Sequence, residues 1–239
     1  MKLDDILASL FPSGHDVAVA DGLIAGKGSL AGVGDIHALG IAGQSPLGVD
    51  GALVLAGRVL EIVRTGDGAP ILVLVDSSSQ RMSRRDELLG LAEYLAHLAK
   101  ALLLAESRGH RTIGLLYGGS AAGAFIATAL ATGTLVALPG AHPAVMDLPS
   151  MARVTKLSID ILKAKAEATP VFAPGLENLA QTGAIHAVWD AGRPLAQQLA
   201  ALLAQPPGPD ARDRLGAERG GRPKAGVIAE RVVTLASHG

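Results

Sequence analysis

The 239-residue sequence contains no cysteine. That removes disulfides, thiolate nucleophiles and cysteine-ligated zinc together, and it fits a reducing, cytoplasmic setting. Aromatic residues supply only 3% of the chain, so its hydrophobicity comes from alanine, leucine, valine and glycine, which pack closely. Neither sign of charge dominates: 21 Lys+Arg stand against 22 Asp+Glu, and the basic field on which nucleic-acid binding rests is missing. Long apolar runs are missing too. The opening MKLDDILASLFPSGHD carries two acids after Lys2 and lacks the stretch of a signal peptide or membrane span. None of the seven histidines forms a His-x-x-x-His or His-Glu pair, so no metal site is expected.

What is present is 49% apolar and 18% charged, a balance that excludes disorder and suits one α/β domain over residues 1–239. Dense glycines over 14–50 predict short antiparallel strands and tight turns. Leu53, Val54, Ala56, Val59, Leu60 and Val63 recur on a helical period. The run ILVLV at 71–75 predicts a strand buried on both faces, opening into Asp76 and three serines at the end where α/β sheets bind ligands. Ser83 and Asp86 stand at capping-box spacing before one long helix ending near Gly109. Further strands are predicted at TIGLLY, LVAL and AIHAVWD, with helices over AGAFIATALAT and much of 147–169, and another from Pro194 to about residue 204. The composition of 205–226 turns to proline, glycine and charge, which predicts an exposed, flexible surface segment.

The stretch LLYGGSAAGAF, 115–125, places the smallest residues where a helix follows a strand. A dinucleotide fingerprint would need a glycine where Ser120 stands and an acid some 20 residues on, and a Walker loop would need a lysine; both fail. GGSAA approximates a nucleophile elbow with Ser120 as nucleophile, and Asp147 or Asp190 with His186 or His238 would have to complete a triad. In the third reading the unsatisfied N–H groups of a helix start hold a developing negative charge, and small side chains let the substrate approach. Tight packing of helix on sheet is the alternative without function.

The order of LVLVDSS (72–78), YGGSAAGAF (117–125), AVMDLPSMARV (144–154) and GAIHAVWD (183–190) resembles the crotonase superfamily, within it the carboxyltransferase half of C-domain type. The likeness covers roughly 17–200, and the whole length is most similar to gamma subunits of biotin-independent malonate decarboxylase. It implies a ClpP/crotonase ββα superhelix and a beta-subunit partner of the same fold. It further implies a malonyl thioester carried by an acyl carrier protein on a dephospho-CoA-like prosthetic group, and no cofactor bound directly. The N–H groups of Ala122 and Gly123 would face the substrate carboxylate or departing CO2, in an active site shared between subunits. Where the family often has Pro-Gly after the strand aspartate, this chain has SSSQ at 77–80.

Around that pocket, Gly119, Ser77, Ser78, Ser120, His142 and Met146 are candidates for substrate contact. A polar loop, a helix cap, a turn histidine and a core methionine are their plainer roles. Arg81, Arg84 and Arg85 could meet phosphates of the carrier's arm or form a solvated helix start.

Overall fold

The computed structural model describes residues 1–146, 148–168, 174–221 and 224–237. Asp147 and His238, two candidates for a triad, lie outside the described residues. The chain order is α1 (Leu3–Leu10), β1 (Ala18–Ala20), β2 (Leu23–Leu30), β3 (Gly34–Ile41), α2 (Val49–Thr65), β4 (Ile71–Val75), α3 (Arg84–Leu88), α4 (Leu91–Ser107), β5 (Thr112–Leu116), β6 (Gly119–Ala121) and α5 (Ala122–Ala127). It continues with β7 (Thr134–Ala137), β8 (His142–Ala144), α6 (Leu148–Thr155), α7 (Ile159–Ala168), α8 (Leu176–Gln181), β9 (Ala187–Val188), α9 (Leu195–Ala204), α10 (Arg212–Glu218) and α11 (Ala225–Ser237).

Among the described residues, seven strands form one mixed sheet in the order β1-β2-β3-β4-β5-β7-β9. The glycine-rich N-terminal strands pair antiparallel, and β3, β4, β5, β7 and β9 run parallel. Strand β4 shows why five apolar residues in a row are needed. Successive side chains point to opposite faces, so Ile71, Val73 and Val75 enter the core beneath α2 and α4, while Leu72 and Leu74 enter the one beneath α1 and α9. Both faces are covered, and β4 is buried throughout. Gly40 of β3 lies so close to β4 that a Cβ there would collide with the Leu74 carbonyl oxygen.

The predicted long helix after Ser83 is two. Gly90, at φ 84, takes a left-handed conformation that breaks the run between α3 and α4, while the Ser83 hydroxyl accepts from the Asp86 N–H as its spacing predicts. The helix expected over AGAFIATALAT stops at Ala127. The region after 147 is also divided, at Lys156 with φ 61, between α6 and α7.

Of the segment 205–226, residues 205–221 and 224–226 are described. It holds α10, and three anchors tie it down: Arg212 donates to the Leu130 carbonyl, Arg111 donates to the Gln205 carbonyl, and Gly216 approaches Thr182 too closely to admit a Cβ. Helix α11 beyond it exposes Val227, Ile228, Val232, Val233 and Leu235. No helix among the described residues is long and apolar enough to cross a membrane.

What positions the site is the adjacency of β4 and β5. Their carboxyl ends lie side by side, so the loop 76–80 and the stretch 117–123 emerge together. A second, two-stranded sheet then forms beyond the main one, with β6 pairing parallel to β8 and Gly119 opposite His142.

Candidate functional site

Four hydrogen bonds fasten the loop after β4 to the turn after β5. The Ser77 N–H donates to the Gly119 carbonyl at 2.7 Å, the Gly119 N–H to Asp76 Oδ1 at 3.0 Å, and the Gly123 N–H to Gln80 Oε1 at 2.6 Å, while the Ser77 and Ser120 hydroxyls lie 3.0 Å apart. The glycines are a steric requirement here. A Cβ on Gly118 would overlap Asp76 Oδ1, and one on Gly119 would stand 2.8 Å from His142 Nε2. Beside this brace the Tyr117 phenol is pushed well above its ordinary range, first by burial and then by the charge of Asp76. It stays protonated.

At the start of α5, Ala122 has φ 51. A non-glycine residue pays about 1–2 kcal/mol for that region, so the turn imposes it. As the first residue of a helix, Ala122 has an N–H with no intrahelical acceptor; the parallel register of Ala121 with Ala144 directs that N–H to the Ala144 carbonyl of β8. Ala121, Ala122 and Gly123 are all half-buried. Neither donor of the expected pair is open: that on Ala122 lies in the β6–β8 ladder, and that on Gly123 is capped by the Gln80 carboxamide.

Ser120 is 1% exposed. Its hydroxyl meets Ser77, itself fully buried, and neighbouring residues of a strand face opposite ways, so the His142 ring lies on the Gly119 side of β6. His186 lines a separate cavity of about 520 Å³ with Arg111, Arg212 and Gln205, none of them a residue of this site. The access and the base that an elbow serine needs are absent among the described residues.

His142 is exposed, with Nδ1 3.3 Å from the Gly140 carbonyl and its ring over Gly119. Ser78 is exposed at the loop's outer edge, and Met146, just past β8, is 38% exposed. The two arginines differ. Arg85 is held by both Asp50 oxygens, at 2.8 and 3.0 Å, and by Asp86 at 3.2 Å; its guanidinium keeps the Asp50 carboxyl below the ordinary carboxylate range. Arg84 is exposed and forms no ion pair among the described residues. No group of metal-ligating side chains occurs among the described residues.

Two participants escape the sequence reading. Gln80 reaches the start of α5 across 43 residues of chain, and its only sequence signal is being a polar residue in the loop after β4. Asp86 is fully buried; its Oδ2 accepts no hydrogen bond but faces Arg81 Nε at 3.9 Å, and a Cβ at Gly48, which precedes α2, would approach that oxygen to 2.7 Å. Its place at the start of α2 suits its charge.

Known proteins share this architecture. The chain matches a Pseudomonas malonate decarboxylase hetero-tetramer crystallised with coenzyme A, at a TM-score of 0.79 and 26% identity over 98% of both chains. It matches the corresponding hetero-dimer at 0.76 and 26%, covering 97% of this chain and 98% of that one. Transcarboxylase 12S shares the fold at 0.68 with 16% identity, covering 85% of this chain and 40% of the other. In sequence, the Malonyl-S-ACP:biotin-protein carboxyltransferase MADD of Malonomonas rubra is 26% identical over 173 residues, 66% of this chain. The chain spans about three fifths of that relative's length, 59%. The model of the malonate decarboxylase gamma subunit family, MdcE, matches residues 42–236, and with the brace between 76–80 and 118–123 in place the chain belongs to that family.

Proposed function

We propose that this chain supplies one half of an active site that converts a malonyl thioester to an acetyl thioester and CO2, the other half coming from a beta subunit of the same fold. The substrate arrives on an acyl carrier subunit bearing a dephospho-CoA-like arm, and this chain binds no cofactor of its own. The observation that carries the reading is the half-buried start of α5, braced to the loop after β4 by the Gly123–Gln80 bond, in a member of this family.

When the bond between the carboxylate carbon and the α-carbon breaks, its electron pair moves into the thioester carbonyl and leaves an enolate, and the α-carbon then takes a proton. The charge leaves the carboxylate. Donors on the thioester oxygen therefore lower the barrier, each by about 2.7–4 kcal/mol, and in this reading they belong to the partner. The contribution of this chain is orientation. Neutral groups beside the start of α5 hold the carboxylate out of the thioester plane, where the breaking bond overlaps the carbonyl π system, without over-stabilising the starting state. In this reading His142, exposed above Gly119, delivers the proton.

Purifying the chain with its beta partner and supplying malonyl thioester tests this: acetyl thioester and CO2 should form in equal amounts, insensitive to avidin. No product beyond that of the beta subunit alone would overturn it. A second reading, transfer of the carboxyl group to a biotin protein, is favoured by the name of the Malonomonas relative, and abolition of turnover by avidin would select it.

A further inference from the structure

The cavity of about 520 Å³ that Arg111 and His186 line lies at the amino ends of β5 and β7. Arg111 immediately precedes β5, whose other end leads into 117–123, so a strand's length separates this cavity from the candidate site. Most of the charge around it is neutralised. Arg212 Nε lies 2.9 Å from each Asp210 oxygen, and Arg214 pairs with Glu218 at 2.7 Å. Two guanidinium groups stand apart. Arg111 Nη1 donates to the Leu202, Leu203 and Gln205 carbonyls at 3.2, 3.1 and 2.8 Å. Arg219 donates to the Ala180, Ile185 and His186 carbonyls at 2.7, 2.7 and 2.8 Å. Among the described residues no carboxylate pairs with either. Carbonyls fix a guanidinium in place without cancelling its charge. Of the five N–H donors of Arg111, those on Nη1 are taken, and among the described residues nothing accepts from Nε or Nη2. That edge is the one that meets a phosphate or carboxylate with two parallel bonds.

We propose that this cavity binds a small organic phosphate, a phosphomonoester of the sugar-phosphate class, with the phosphoryl group on Arg111 and His186 and the hydroxyl-bearing remainder toward Asp213. The site is independent of the malonyl-thioester reading. Asp213 is the lining carboxylate that forms no ion pair among the described residues, so it offsets only one of the two unpaired cations and is free to accept from hydroxyls. The excess positive charge is felt at His186, exposed in the lining, whose pKa is held low by burial and then by Arg219 and Arg111. A phosphoryl group suits this arrangement better than a carboxylate: with two oxygens on the arginine fork it has a third for the imidazole, and a carboxylate has none. Size points the same way. Cavities that hold compact organic ligands run from about 300 to 1,000 Å³, and a bare phosphate ion would leave most of this one unfilled.

The test titrates the whole chain by calorimetry with ribose 5-phosphate, inorganic phosphate and ribose. Ribose 5-phosphate should bind saturably and more tightly than inorganic phosphate, and ribose should give no saturable heat. Arg111→Met removes the fork and should weaken ribose 5-phosphate about 10- to 100-fold, as expected for lost bonds to a charged group. Arg111 also holds the end of α9, so a second readout uses the wild-type chain. Saturating ribose 5-phosphate should move the His186 pKa upward by about one pH unit or more, because a neighbouring anion favours the charged ring; imidazole NMR follows it, with the resonance assigned by its loss in His186→Gln. Absence of saturable binding, equal affinity for ribose 5-phosphate and inorganic phosphate, or unchanged affinity in a folded Arg111→Met would each overturn the proposal. Should Arg111→Met not fold, the wild-type titration decides, and a His186 pKa unmoved by the ligand overturns it.

Discussion

The hydroxyls of Ser77 and Ser120 face each other at 3.0 Å, both residues buried to 1% exposure or less, and each satisfies the other in a space closed to solvent. The pair joins the ends of two adjacent strands. It does not present a nucleophile.

Ser120→Ala should therefore leave decarboxylation within about threefold of wild type while costing about 1–3 kcal/mol of stability, because the Ser77 hydroxyl loses its partner. Denaturant melts and steady-state kinetics on the same preparation check this. A loss of ~10⁴-fold in kcat with an intact fold would restore Ser120 as the attacking group.

Ala122→Gly should raise stability by about 0.5–1 kcal/mol. The native φ of 51 is strained for alanine and free for glycine, and part of the gain is returned as glycine's larger chain entropy. The N–H remains, so activity should persist. Destabilisation by the substitution would mean that the alanine methyl makes packing contacts worth more than the strain.

His142→Gln should lower kcat about 10²-fold or more, the range typical of a lost general acid, while leaving KM for malonyl thioester close to wild type. Unchanged kcat would move the proton donor to the partner subunit or to water.

Arg84→Glu and Arg85→Glu should separate. Arg84 has no carboxylate partner among the described residues, so reversing its charge should weaken binding of the acyl carrier and leave melting unchanged. Arg85→Glu breaks the contacts with Asp50 and Asp86 and should disturb the packing of α3 against α2. Carrier titrations by calorimetry distinguish the two, and equal affinity in wild type and Arg84→Glu would remove the proposed contact.

Acid should weaken the edge of the sheet at His186. Partial burial and then the charges of Arg219 and Arg111 hold its pKa below the ordinary 6.5. The unfolded chain then binds more protons than the folded one, and stability declines as pH falls through 6.5 toward the folded value before levelling off. His186→Gln should flatten that decline in melts between pH 7.5 and about pH 5. An unaltered slope would assign the acid sensitivity to other groups.

The parts of the structure legible in the sequence are those written locally. ILVLV declares a doubly covered strand because both faces need apolar side chains, Ser83 and Asp86 declare a cap, and the glycines before 50 declare tight antiparallel strands. The small sheet was not legible: β6 and β8 have three residues each, and their pairing depends on what β5 and β7 place beneath them. The Gln80–Gly123 bond spans 43 residues and the Arg85–Asp50 contact 35, distances over which spacing carries no information. Gly90 shows the reverse limit. Its apolar flanks continue a helical period, and only the left-handed backbone reveals the break.

The fastening of 76–80 to 118–123 bears on how substitutions there must be interpreted. Asp76, Ser77, Gln80, Gly119, Ser120 and Gly123 form one interlocked set, so removing any member relaxes the others, and two single losses will not sum to the double one. Residue-by-residue scanning of this region would count the same free energy several times, and pairwise cycles are the appropriate unit of measurement.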